Sequence, residues 1–147
     1  MRYKAPYELV KKDGDHGWDI RSTKERFLNK GQTFTFPTGI HIEFDDGLGA
    51  LVVPRSGLSS KGILCHLGLV DSSYRGEIGV NLTNLGDKPY KIYEGDRIGQ
   101  LVFFDEKKVS LEKVEKICND EIDSPCQGPR LKVLRAVIKE LNSRRFY

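Results

Sequence analysis

The chain has 147 residues, 38 % hydrophobic and 31 % charged, with a formal net charge of +3. That is enough to close one core without disulfides or metal, and too polar for a membrane-embedded protein. No apolar run approaches the roughly 18 residues of a membrane span, and Met1-Arg2-Tyr3-Lys4 lacks the apolar core of a signal peptide. A cytoplasmic protein without membrane contact is expected. Cys65, Cys118 and Cys126 are too few and too unevenly spaced for a disulfide framework, so reduced thiols are the simpler reading. The charge is uneven: residues 130–147 hold six Lys/Arg against the single acid Glu140, a local +5, which leaves −2 for residues 1–129.

Residues 1–16 are polar, with a turn at Lys11-Lys12-Asp13-Gly14-Asp15. In His16-Gly17-Trp18-Asp19-Ile20 the glycine lets the backbone come close, and Asp19 stands beside a tryptophan expected to be buried. On this segment alone Asp19 reads as a turn aspartate. From Gln32 the pattern alternates, with Phe34, Phe36, Ile40, Ile42 and Phe44 separated by Thr35, Thr38, His41 and Glu43. Period two in a β-branched and aromatic run predicts strands, with Pro37-Thr38-Gly39 as a bend. Asp45-Asp46-Gly47 closes a turn, and further strands are expected over 50–53, 78–83, 90–93 and 98–104. Many short strands with regular turns point to a sandwich, jelly roll or barrel.

After Phe104 the pattern changes. Residues 109–117 fit a strand or a short helix, since Leu111, Val114 and Ile117 also recur at helical spacing. Residues 118–129 read as loop. A helix is predicted over 130–142, with Leu131, Leu134, Val137, Ile138 and Leu141 on one face and Lys132, Arg135 and Lys139 on the other.

Two tempting chemistries fail on spacing. His41-Ile42-Glu43 and Pro125-Cys126 begin a zinc deaminase pattern, but the second thiolate it needs falls on position 129, which is Pro. Cys65-His66 fails as a dyad because adjacent side chains on an extended segment point to opposite faces. The turn Arg55-Ser56-Gly57 is different: a guanidinium fork, a hydroxyl and a glycine that lets the main chain approach together suit a phosphate. Asp71 and Tyr74 follow one short hairpin later, and Gly95-Asp96-Arg97-Ile98-Gly99-Gln100 adds a second glycine-framed polar turn.

Taken together, Pro54-Arg55-Ser56-Gly57-Leu58, the stretch from Gly68-Leu69-Val70-Asp71 through Tyr74-Arg75-Gly76-Glu77-Ile78-Gly79-Val80, and Gly95-Asp96-Arg97-Ile98-Gly99-Gln100-Leu101 resemble the second, third and fourth motifs of the homotrimeric dUTPases. Gly17-Trp18-Asp19-Ile20 resembles the first, with Trp where a smaller aromatic is common. The resemblance covers about residues 15–105 and implies an all-β jelly roll over 1–129, with 130–147 as a helical extension. It also implies a homotrimer with sites between subunits, and hydrolysis of dUTP to dUMP and diphosphate by water attack on the α-phosphorus.

By matching positions, Asp71 would activate the water, and Tyr74 would pack on the deoxyribose and exclude a 2′-hydroxyl. Arg55, Ser56, Gly57 and Gln100 would hold the phosphates. Asp19 would contact the waters of a Mg²⁺ bound by the triphosphate. The segment 63–71, with Leu67 and Gly68, would read uracil through its main chain. An ionised aspartate suits the role of base. A main-chain slot also suits uracil, because cytosine would leave a buried polar group unpaired.

The chain departs from the family pattern in two places. The stretch from Ser56 to Ile63 is one residue shorter, and residues 105–147 hold a single glycine, Gly128, in place of a glycine-rich closing arm. Arg144, Arg145 and Phe146 would supply that arm's cation and aromatic from a different scaffold; the simpler reading packs the helix on the trimer with its charges solvated. A further reading has the basic tail touch nucleic acid or an acidic protein. The alternative function is a non-catalytic nucleotide-binding or regulatory protein that uses the tail on a partner. A third is the dCTP deaminase branch, against which Asp71 and Tyr74 weigh.

Overall fold

In the computed structural model, which describes residues 1–115, 117 and 139, alternating sequence becomes short antiparallel strands. They run β1 (Arg2–Lys4), β2 (Trp18–Arg21), β3 (Arg26–Leu28), β4 (Thr33–Phe36), β5 (His41–Glu43), β6 (Leu48–Val53), β7 (Ile63–Cys65), β8 (Gly68–Val70), β9 (Val80–Asn84), β10 (Tyr90–Ile92) and β11 (Arg97–Asp105). One helical turn, α1 (Ser56–Ser59), interrupts them. All of these elements lie in the first of two compact units, Met1–Lys108; the second is Val109–Tyr147.

A four-stranded sheet in the order β2-β11-β6-β8 and a three-stranded sheet in the order β4-β9-β7 form an all-β fold of the jelly-roll type, with β1-β5 and β3-β10 as two-stranded additions. The inward positions bury Ile20, Leu28, Phe36, Ile40, Ala50, Val80, Leu82, Ile92, Ile98 and Leu101 completely. Aromatic pairs pack in and beside the core: Phe34 meets Phe36 on the same strand edge to face at 4.9 Å, and Phe44 meets Phe103 at 5.6 Å.

The expected strands form with small shifts in their ends. Four points differ from expectation. β1 arises in the polar N-terminal stretch because its residues pair with β5, Tyr3 opposite Ile42. Trp18 is half-buried rather than buried. Residues 109–115 form neither the strand nor the helix that the sequence left open. Finally, the segment expected as a hairpin between 63 and 71 is no hairpin. β7 pairs with β9 and β8 pairs with β6, so His66-Leu67 carries the chain from one sheet to the other. Apart from Lys139, the predicted helix over 130–142 and the tail residues Arg144, Arg145 and Phe146 lie outside the described residues.

Asn84 ties the end of β9 to two neighbours. Its amide donates to the Leu28 and Lys88 carbonyls, both at 2.8 Å, and its Oδ1 accepts from the Gly86 N–H at 2.9 Å. It is 1 % exposed, so no water replaces those bonds. Asn84→Ala is expected to cost about 2–3 kcal/mol of stability, read as a lowered urea midpoint with an unchanged slope. A midpoint within error of the parent would contradict this.

Candidate functional site

Pairing of β11 with both β2 and β6 puts Asp19, Gln100 and Val53 abreast. β11 also carries a bulge: Arg97 lies opposite Arg21 and Gly99 opposite Ile20, which leaves Ile98 as the extra residue. Three positions apart on an unbroken strand, Arg97 and Gln100 would point to opposite faces. The bulge turns Arg97 back, and its Nη1 stands 3.4 Å from Asp19 Oδ2. Arg55 approaches the same carboxylate from the end of β6, with Nε 3.1 Å from Asp19 Oδ1. One carboxylate thus faces two guanidiniums, a local excess of one positive charge.

The surroundings leave this cluster open to an anion. Arg55 Nε is buried and has no aligned hydrogen-bond acceptor among the described residues, so its contact with Asp19 is one of charge and not of direction. Arg55 itself is extended, and its carbonyl accepts the Leu58 and Ser59 N–H groups that begin α1, which sets Ser56 and Gly57 on the exposed shoulder of the turn. A Cβ at Gly57 would meet nothing within 4 Å, and its φ is not positive. No contact among the described residues demands glycine there; a group approaching the backbone from outside would. Gly17 is the opposite case. A Cβ there would lie 2.4 Å from Gln100 Oε1 and 2.8 Å from Gln100 Cβ, so the glycine makes room for the Gln100 side chain.

A second group gathers around Asp71. Gly68, Asp71, Tyr74 and Gly79, with Val52 and Ile78, line a cleft of about 190 Å³. The Tyr74 hydroxyl donates to the Glu77 carbonyl at 2.8 Å, and the ring lies over Gly76, where a Cβ would come within 2.5 Å of the ring carbon Cζ. Leu67, 69 % exposed, caps the crossing that leads into β8.

Within one chain Asp71 lies apart from the guanidinium cluster. Val52 pairs with Gly68 and Ala50 with Val70, so Asp71 falls level with Gly49, six residues from Arg55 along the same extended stretch. At about 3.3 Å per residue that is roughly 20 Å. Between them the outward side of the sheet is apolar. Leu51 pairs with Leu69 and with Val102, and Phe104 covers Gly49; Leu69 is 66 % exposed and Phe104 38 %.

Other residues that the sequence singled out have ordinary structural partners. His41 Nδ1 contacts the Arg75 carbonyl at 3.0 Å, and Glu43 pairs with Arg2 at 2.6 Å. Cys65 points into the core while the His66 ring bonds Thr83 Oγ1 at 2.7 Å, which places the two on opposite faces. Among the described residues no three His, Cys, Asp or Glu side chains converge as a ligand set. Asp19 is the carboxylate held at the guanidinium cluster, and a lone carboxylate suits an ion such as Mg²⁺ that takes its other ligands from phosphate and water.

A family model of the dUTPases matches residues 4–129. The chain belongs to the dUTPase family. The deoxyuridine 5′-triphosphate nucleotidohydrolase of Clostridium tetani is 37 % identical over 112 residues, 74 % of this chain and 77 % of that protein. That of Pseudomonas paraeruginosa is 44 % identical over 109 residues, 70 % and 72 % of the two chains. A mutant dUTPase from phage phi11 of S. aureus superposes with a TM-score of 0.72 at 23 % identity, over 79 % of this chain and 97 % of that one, and shares the fold.

In this dUTPase-family chain Arg97 is the residue at the cluster that sequence reasoning passed over. It lay inside a motif already quoted, but only the bulge at Ile98 brings it to Asp19. In the core, burial pushes the Cys65 thiol up to about 11, so it is neutral and inert near neutral pH. Protection is complete below the ordinary thiol range and is lost as pH rises through the raised value. At pH 8 the Cys65 peptide is expected to stay unmodified by iodoacetamide while an unfolded control is labelled, as read by mass spectrometry. Labelling of the folded protein at the control's rate would refute this.

Proposed function

We propose that this chain hydrolyses dUTP to dUMP and diphosphate, with each site assembled from a cation cluster of one subunit and an Asp71 cleft of another in a homotrimer. The observation that carries the reading is the division of the site: two complementary halves, one cationic and one bearing a carboxylate and a tyrosine, stand at opposite ends of an exposed apolar sheet face. Covering that face with a second copy would remove apolar surface from water and bring one subunit's Arg55 toward another's Asp71. The relatives named for dUTP hydrolysis support the choice of substrate.

In this reading Arg55, Ser56, Gly57 and Gln100, joined by Arg97, hold the triphosphate. Charge-assisted bonds to Arg55 Nε would give that buried donor the acceptor it lacks. Asp19, relieved of its guanidiniums by the phosphates, would be free to accept from waters around a Mg²⁺. When bound, that ion would neutralise charge developing on the phosphate oxygens. The phage phi11 dUTPase is described as coordinating a structural Mg(II) ion.

Asp71 accepts a proton from the attacking water as its oxygen bonds to the α-phosphorus. The bond from that phosphorus to the bridging oxygen breaks, and diphosphate leaves with the electron pair. A positioned base of this kind contributes about 10²–10⁴ in rate. Tyr74 packs its ring on the sugar, so a ribose 2′-hydroxyl would be pressed against an apolar face and lose its water. Main-chain groups from Leu67 and Gly68 read the uracil edge. Action in the cytoplasm follows from the same reading.

Incubation of the purified protein with dUTP and Mg²⁺, with dCTP and UTP in parallel, should yield dUMP and diphosphate from dUTP alone. Asp71→Asn should keep dUTP binding by calorimetry and lose at least about a hundredfold in turnover. Binding without turnover in the parent would point to a nucleotide-binding protein, ammonia release from dCTP to a deaminase, and a fully active Asp71→Asn to a different base.

A further inference from the structure

The stretch from Asp71 to Gly79 has no strand or helix to hold it, yet it carries both groups of the second half-site. What fixes it is Glu77. Glu77 Oε1 accepts the backbone N–H groups of both Thr38, at 2.9 Å, and Gly39, at 2.7 Å, in the turn between β4 and β5. The neighbouring Ile78 adds two more bonds to the same turn: its N–H donates to the Ile40 carbonyl at 2.8 Å, and its carbonyl accepts from Thr38 Oγ1. The turn is itself rigid. Thr38 is fully buried, and Gly39 has φ +68° with Pro6 packed so close that a Cβ would fall 2.6 Å from Pro6 Cδ.

The anchored residue is the one on which Tyr74 rests. The phenol hydroxyl donates to the Glu77 carbonyl, while Arg75 Nη1 holds the Ser72 and Tyr74 carbonyls from the loop's outer side. A chain of contacts therefore runs from the β4–β5 turn through the Glu77 carboxylate and carbonyl to the ring of Tyr74. We infer that Glu77 is a positioning residue that sets where Tyr74 stands and thereby how sharply deoxyribose is preferred over ribose. This rests on the proposed role of Tyr74 at the sugar.

Both accepted bonds go to one oxygen, so an amide oxygen at that place can replace the carboxylate. Glu77→Ala leaves the buried Thr38 N–H without an acceptor, and loop and turn separate. Amide exchange over residues 71–79, measured without nucleotide, should quicken by about tenfold or more in Glu77→Ala and return near the parent value in Glu77→Gln. The preference for dUTP over UTP, as a ratio of kcat/KM, should fall by about tenfold in Glu77→Ala and be rescued in Glu77→Gln. Tyr74→Phe, which removes the hydroxyl anchor but not the ring, should lower the ratio on its own, and Glu77→Ala should add little to it.

Unchanged exchange over 71–79 in a folded Glu77→Ala overturns the anchor whatever the enzyme does. Quickened exchange with an unchanged ratio overturns its role in sugar preference. Should Glu77→Ala fail to fold, a Tyr74→Phe protein that keeps the parent ratio overturns the link through the hydroxyl. A parent protein inert toward dUTP defeats the proposed function and leaves the exchange result to judge the anchor.

Discussion

Antiparallel pairing of β6 with β11 on one side and β8 on the other is the constraint from which the rest of this site follows. The ladder with β11 and, through it, β2 sets Asp19, Arg97 and Gln100 beside the end of β6 that leads into Arg55. The ladder with β8 sends Asp71 to the far end. Because side chains alternate, the same register points Leu51, Leu69 and Val102 outward on the strip between the two ends. A one-residue slip would turn that strip and the guanidinium cluster to the wrong faces together.

In the proposed function, the cation cluster would be held in shape before a ligand arrives. Two guanidiniums side by side repel, and Asp19 between them lowers that cost. Only one positive charge is then left over, and the buried Arg55 Nε still lacks a directed bond. On that reading a triphosphate would displace the carboxylate from both arginines because it brings more negative charge than one aspartate. The same exchange would release Asp19 toward hydrated metal.

Much of the fold was legible because alternation is a direct record of which side chains face the core. Phe36, Ile40, Ile42 and Phe44, on the apolar phase of the alternation, are buried, and Phe34 on the same phase is partly so. What was not legible depends on partners far along the chain. β1 has no pattern of its own and exists by pairing with β5. The crossing at His66-Leu67 looks like a hairpin locally, and only the competing partners β6 and β9 separate its two strands. At the site, the motifs named Asp19, Arg55, Gln100, Asp71 and Tyr74 but said nothing of Arg97, whose direction is decided by a bulge, or of Glu77, whose partners lie 38 and 39 residues away. That the two halves lie apart in one chain followed from neither composition nor spacing; it needed the strand register.

Subunit mixing tests directly the proposal that one functional site draws on two copies of the chain. Arg55→Ala and Asp71→Asn would be prepared separately, then unfolded and refolded together in equal amounts, and dUTP turnover compared with each alone. If the halves come from different subunits, two inactive proteins should regain roughly a quarter of parental activity, since random assembly pairs an intact Arg55 with an intact Asp71 in about one site of four. A mixture no more active than its components would contradict a shared site and return both halves to a single chain.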